Sequence, residues 1–213
     1  MLHALIDKRL FTLIVVLFVA ATMAVAMPDG AKSLVGPGPI TANPGVSQVL
    51  PLARRELRRK PVERRGNNVP RYHKGQGRVA PYSIEAFWCV AFATWVWAHS
   101  GITSYLGTDL LWKSHDGTEV GIQVKDMTRW AKRTGRWSYR AKPGWLIAYG
   151  TSHMGIVEKA DRDGRAVRSI EGNLSNRVKR TRVPMASVSG YISPNKLTPK
   201  QYISRSSVRA DVD

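Results

Sequence analysis

Phe87-Trp88-Cys89-Val90-Ala91-Phe92-Ala93-Thr94-Trp95-Val96-Trp97-Ala98-His99-Ser100-Gly101 decides how the rest of the chain is read. It holds the only cysteine among 213 residues. As a helix, Val90 to Ala98 is apolar on every side apart from Thr94, and a helix of that kind lies inside a protein. Gly101 supplies its C-terminal stop. Cys89 then falls at the first turn, where the dipole and the free N–H groups favour a thiolate. The plainer reading is one more small buried core residue. The rest of the chain has to supply partners before the reactive reading gains ground.

Composition narrows the setting. There are 33 Lys plus Arg against 15 Asp plus Glu, a net charge of +18, with a hydrophobic content of 43%. That content supports a real core, and the charge implies a polyanionic environment. Lys8 and Arg9 precede an apolar run from Leu10 to Ala26 that ends in Ala24-Val25-Ala26. Basic flank, apolar segment and small-x-small site describe a signal peptide over 1–26, although the run is also just long enough for an N-terminal membrane anchor. Either way the remainder is expected outside the cytoplasm, secreted or associated with the wall. Exported proteins usually pair their cysteines, so a lone one is a flag for a reactive thiol. Export also argues against a nucleic-acid partner, and the basic stretches match no nucleic-acid-binding signature.

Beyond the leader, residues 27–46 are rich in Pro, Gly, Ser and Ala and read as a disordered linker. A helix is predicted over 48–60, with Pro51 in its first turn and Leu50, Ala53 and Leu57 at helical spacing. Arg54, Arg55, Arg58, Arg59 and Lys60 form its other face, either a solvated surface or an anion-binding one. Residues 66–86 read as a loop and 103–121 as irregular. Val124, Met127, Trp130 and Ala131 predict a further helix that Gly135 ends. The period then changes. Strands are predicted over 145–149, 153–158, 166–171, 178–183 and 189–192, with a hairpin turn at Asp163-Gly164. Helices followed by strands in tight-turned succession give an α+β domain with an antiparallel sheet, placed over 47–195, and a polar tail over 196–213.

A thiolate nucleophile needs a base and the base needs an orienting partner. His3 lies in the leader, and His99 lies roughly 15 Å along the same helix at 1.5 Å per residue. His73 and His115 fall in loops. His153 opens a strand directly after Gly150-Thr151-Ser152, where its side chain can project toward a helix terminus. Glu171, at the end of the next strand, and Asn173, two residues on, can each accept the second imidazole N–H. Gly172 and Asn173 also favour turns, so spacing alone leaves both readings open.

Phe87-Trp88-Cys89-Val90-Ala91-Phe92, Lys142-Pro143-Gly144-Trp145-Leu146-Ile147, Ser152-His153-Met154-Gly155-Ile156-Val157 and Ile170-Glu171-Gly172-Asn173-Leu174-Ser175 closely resemble, in order, the motifs of the CHAP family. These are the cysteine, histidine-dependent amidohydrolases/peptidases, relatives of NlpC-type peptidoglycan hydrolases. The resemblance spans roughly residues 47–193. It implies a papain-like fold and hydrolysis of amide bonds in peptidoglycan, by an N-acetylmuramoyl-L-alanine amidase or a peptide-bridge endopeptidase. It further implies Cys89 as nucleophile, His153 as general base, Glu171 as third member and Asn173 as a supporting polar residue. Some relatives bind calcium through an Asp-rich loop before the cysteine. No aspartate lies between Arg54 and Cys89 here, so neither metal nor other cofactor is expected. The expected partners of this monomer are peptidoglycan, anionic wall polymers and an anionic membrane surface. Two alternatives remain: a catalytically idle cationic surface protein on the same fold, and a cysteine peptidase or amidase of a non-wall substrate.

Overall fold

The computed structural model describes residues 44–64, 66–73 and 77–198. The leader or anchor over 1–26, nearly all of the 27–46 linker and most of the 196–213 tail lie outside the described residues. No helix among the described residues is long and apolar enough to cross a membrane.

Three helices carry the N-terminal half: α1 (Pro44–Arg59), α2 (Cys89–Ala98) and α3 (Val124–Arg133). Helix α1 starts earlier than the sequence predicts. Proline suits a first helical position, and Pro44 takes it, which leaves Pro51 inside the helix. The last three residues assigned to the linker are therefore helical. Val49 and Ala53 are its fully buried apolar positions. Glu56 is buried beside them, accepting a 2.6 Å hydrogen bond from the Tyr72 hydroxyl.

Helix α2 is buried from Cys89 to Trp97. Its one polar residue is used: Thr94 Oγ1 donates to the Val90 carbonyl at 2.8 Å and accepts the Gly121 N–H at 3.1 Å. Gly121 belongs to a hairpin of β1 (Leu111–Lys113) and β2 (Glu119–Gly121), inside a span that reads as irregular from sequence. Gly101 takes a left-handed φ of 79° beyond α2, as a C-terminal stop requires.

The C-terminal half is a six-stranded antiparallel sheet of β3 (Trp137–Ser138), β4 (Leu146–Tyr149), β5 (His153–Ala160), β6 (Ala166–Glu171), β7 (Lys179–Pro184) and β8 (Gly190–Ile192), in the order β3-β8-β4-β5-β6-β7. Side chains alternate across it. Leu146, Ala148, Met154, Ile156 and Ile170 join the core around α2, whereas Ile147, Val157, Val167 and Tyr191 form a second cluster on the opposite face. Helix α2 packs against β5 and β6. The approach to β6 is close: a Cβ at Gly172 would lie 2.5 Å from that of Phe92. The architecture is the expected α+β arrangement, with the first turn of α2 brought to the strands that carry His153 and Glu171.

Candidate active site

Cys89 is the first residue of α2. Trp88, at the N-cap, provides no side-chain cap, so the first-turn N–H groups are left to whatever approaches that end. Trp88 is anchored instead through its indole N–H, 3.1 Å from Glu63 Oε2, and by stacking on Tyr82 with ring centroids 5.7 Å apart. Cys89 is 6% exposed, and Phe87, two residues before it, is 76% exposed.

His153 opens β5 opposite Tyr149, the last residue of β4, and their rings stack with centroids 5.8 Å apart. His153 Nε2 lies 2.8 Å from Glu171 Oε2. Cys89 is the other close partner of the imidazole, near enough to raise its pKa. With Nε2 on the carboxylate, Nδ1 is the nitrogen left for the sulfur. Burial pulls the His153 pKa down. The hydrogen bonds and charges shared with Cys89 and Glu171 outweigh burial and raise it to about 9.

Glu171 is held by a shell of hydroxyls. Its Oε1 accepts from Tyr149 at 2.7 Å, from Thr181 at 2.6 Å and from Ser169. Burial raises the pKa of this carboxyl. The hydrogen bonds from His153, Ser169, Thr181 and Tyr149 more than offset burial and hold it at about 2. The Tyr149 phenol is pushed well above its ordinary value by burial and by the Glu171 charge, so it stays a donor.

The sheet register explains how residues of four strands converge. Tyr149 pairs with His153, Ile156 with Ile170, and Ser169 with Thr181. One step on from the Ile156–Ile170 pair, Gly155 faces Glu171. A Cβ there would sit 2.5 Å from Glu171 Cγ. The missing side chain leaves the space in which the carboxylate lies and over which Tyr149 reaches from β4.

The structure thus brings together Cys89, His153 and Glu171. It does not bring in Asn173, which stands in the turn after β6 at φ 55°, a conformation Asn tolerates. Among the described residues no hydrogen bond links its side chain to those three. His99 lies past the end of α2, 3.2 Å from Asp116. Sequence reasoning missed Gly155, Tyr149, Ser169 and Thr181. Ser169 was within reach, because it lies two residues before Glu171 on one strand and so shares its face.

This arrangement, a cysteine at a helix N-terminus beside a histidine and a buried carboxylate on an antiparallel sheet, is that of the papain-like cysteine hydrolases. Residues 81–173 match the family model of the CHAP domain, a family whose members are generally cysteine- and histidine-dependent amidohydrolases and peptidases. No curated protein and no solved structure matches the chain significantly.

Proposed function

We propose that this protein is a secreted or wall-associated peptidoglycan hydrolase that cleaves an amide bond through Cys89, His153 and Glu171. The observation that carries the reading is the placement of His153 between Cys89 and a carboxylate 2.8 Å from its Nε2. His153 takes the proton of the Cys89 thiol, and its pKa near 9 lets it hold that proton at neutral pH. Cys89 Sγ adds to the amide carbonyl carbon, with the Cys89 backbone N–H a donor to the developing oxyanion. His153 then gives its proton to the leaving nitrogen as the C–N bond breaks. Water adds to the resulting thioester, His153 takes the proton from it, and the carboxylic acid product leaves as the thiol reforms. Glu171 keeps the ring oriented and stabilises its charge. No step requires a cofactor.

The test is digestion of purified sacculi, with mass spectrometry of the released fragments. A new N-acetylmuramic acid lactyl carboxylate with a free alanine amine identifies an amidase; cut cross-bridges identify an endopeptidase. Cys89→Ala is expected to lower release by about 10³-fold or more. Release that survives the substitution would exclude the nucleophile, and no release by the parent would favour the idle cationic alternative. Intact sacculi alongside turnover of a small amide ester would favour a non-wall substrate.

A further inference from the structure

Glu56, near the end of α1, and Glu63, just beyond it, face inward. Glu56 bonds Tyr72 and Arg59, and Glu63 bonds the Trp88 indole. The cations of the same segment are left outside, where they border a groove of about 770 Å³ between the end of α1 and the start of β7. Its floor is apolar, made by Leu57, Pro61, Val62 and Val178. The floor is pinned by backbone hydrogen bonds from Glu63 N–H to the Asn176 carbonyl at 2.7 Å and from Val178 N–H to the Pro61 carbonyl at 3.4 Å.

Arg58, Lys60, Arg177 and Lys179 line the groove, which has no acidic residue in its wall. None of these four forms an ion pair among the described residues. A neighbouring cavity shares Val62 and His73 with the groove and adds Arg64 and Arg71, so the cationic track continues. These residues lie outside the 81–173 span that matches the CHAP domain.

We infer that this groove is a binding track for a linear phosphodiester polymer with short aliphatic spacers, of the polyol-phosphate kind. Successive cations suit repeated charges, and an apolar floor suits the carbon spacers between them. Single-stranded nucleic acid, also a phosphodiester chain, binds through aromatic stacking platforms. The groove offers no Trp, Tyr or Phe, and Tyr72 in the neighbouring cavity is buried with Arg59 and Arg78 against its ring. A membrane surface calls for exposed apolar side chains beside the charge. The large exposed ones, Phe87, Leu106, Leu110 and Trp112, lie elsewhere in the chain.

The track requires nothing of the reaction at Cys89, and the two ideas can fail separately. The experiment measures binding of the full chain to a poly(glycerol phosphate) oligomer across a salt series. The groove variant is Arg58→Gln/Lys60→Gln/Arg177→Gln/Lys179→Gln. An equal-charge control is Lys125→Gln/Lys159→Gln/Arg162→Gln/Arg165→Gln. Arg58→Lys/Arg177→Lys keeps the charge of the groove. The groove variant is expected to bind about tenfold or more weakly, with the slope of log affinity against log salt reduced by ~0.7 per cation removed. The control and the Lys variant are expected to bind nearly as the parent does, and Cys89→Ala to bind unchanged. Equal losses in groove variant and control would reduce the effect to net charge and overturn the proposal. So would tighter binding to poly(glutamate), to an oligothymidylate or to phosphatidylglycerol vesicles than to the polyol phosphate.

Discussion

Glu158 on β5 and Glu171 on β6 are both buried carboxylates with every oxygen engaged, yet their surroundings are opposite. Glu158 is gripped by two guanidinium groups: Arg54 of α1 at 2.8 Å, and Arg180 of β7 at 2.6 and 2.8 Å. Its pKa is lowered, first by the Arg180 hydrogen bonds. Its charge is spent on tying α1 to the edge of the sheet. Among the described residues Glu171 meets no cation other than His153. Neutral hydroxyls satisfy its other oxygen, so its negative charge stays available to the imidazole. Positive neighbours would hold the carboxyl ionised equally well, but they would cancel the field that keeps His153 protonated.

The two sites are also linked through the ladder. The β5–β6 register shifts between Val157 and Lys159, which makes Glu158 the bulged residue. Counted back from the Ala160–Val167 pair without that extra residue, Glu171 would oppose Ile156 and point to the face away from His153. A one-residue slip exchanges the faces of a strand. The bulge therefore puts Glu171 under His153, and the arginine clamp sits on the bulge.

Glu171→Gln should break this contrast most severely, because the amide keeps the shape and loses the charge. Activity is expected to fall by roughly 10²-fold or more. The alkaline limb of kcat/KM, set by His153 near 9, should move acidward by about a unit or more. Stability should follow the same linkage. His153 is raised above its unfolded value of 6.5, so its contribution is complete below that pH and lost as pH rises through about 9. Glu171 is lowered from 4.5, so its contribution is present above 4.5 and lost as pH falls toward about 2. Thermal unfolding against pH should show both slopes in the parent; in Glu171→Gln the acid slope should vanish and the alkaline one shrink, since Cys89 still raises His153. Gly155→Ala comes next. The added methyl would displace the carboxylate, and a loss on the order of tenfold to 10²-fold in kcat is expected with KM little changed. Unaltered kinetics would show that the space above Gly155 is not what positions Glu171.

Much of this was legible in the residues, and the boundary is instructive. Helix α2 could be read because it is apolar all round, and β4 to β6 because period-2 apolar runs end in glycine turns. The hairpin of β1 and β2 could not. Leu111-Trp112-Lys113 is short and largely exposed, with Trp112 itself 47% exposed, so burial never imprinted an alternation on it. Cys89, His153 and Glu171 carry chemistry in their side chains and were found. The hydroxyl shell was not, because Tyr149 reaches Glu171 across a β5–β6 register that a bulge resets, and Thr181 through the pairing of β6 with β7. The basic face of α1, read as solvated or anion-binding, is partly committed for a related reason. Arg54 and Arg59 are taken by Glu158 and Glu56, and burial of those acids shows only in three dimensions.

Smaller effects test the two clamps directly. Tyr149→Phe removes one of three donors to Glu171 Oε1 while keeping the ring stacked on His153. The remaining hydroxyls limit the damage, so a three- to tenfold loss in kcat is expected, about 1 kcal/mol, less than the ~1.5–3 kcal/mol of a sole hydrogen bond to a charged group. Glu158→Gln should hardly touch the chemistry. Both arginines are about half exposed, so solvent screens what they lose. A fall of about 1–2 kcal/mol in unfolding free energy is expected from denaturant titration, with kcat/KM within about twofold of the parent. The bulge is a backbone feature fixed by the ladder on either side, and it should persist when only the charge is gone. If Glu158→Gln instead lowered kcat/KM as far as Glu171→Gln while the fold stayed intact, the arginine clamp would be what holds the register. The distinction between a structural and a catalytic carboxylate would then collapse into one coupled device.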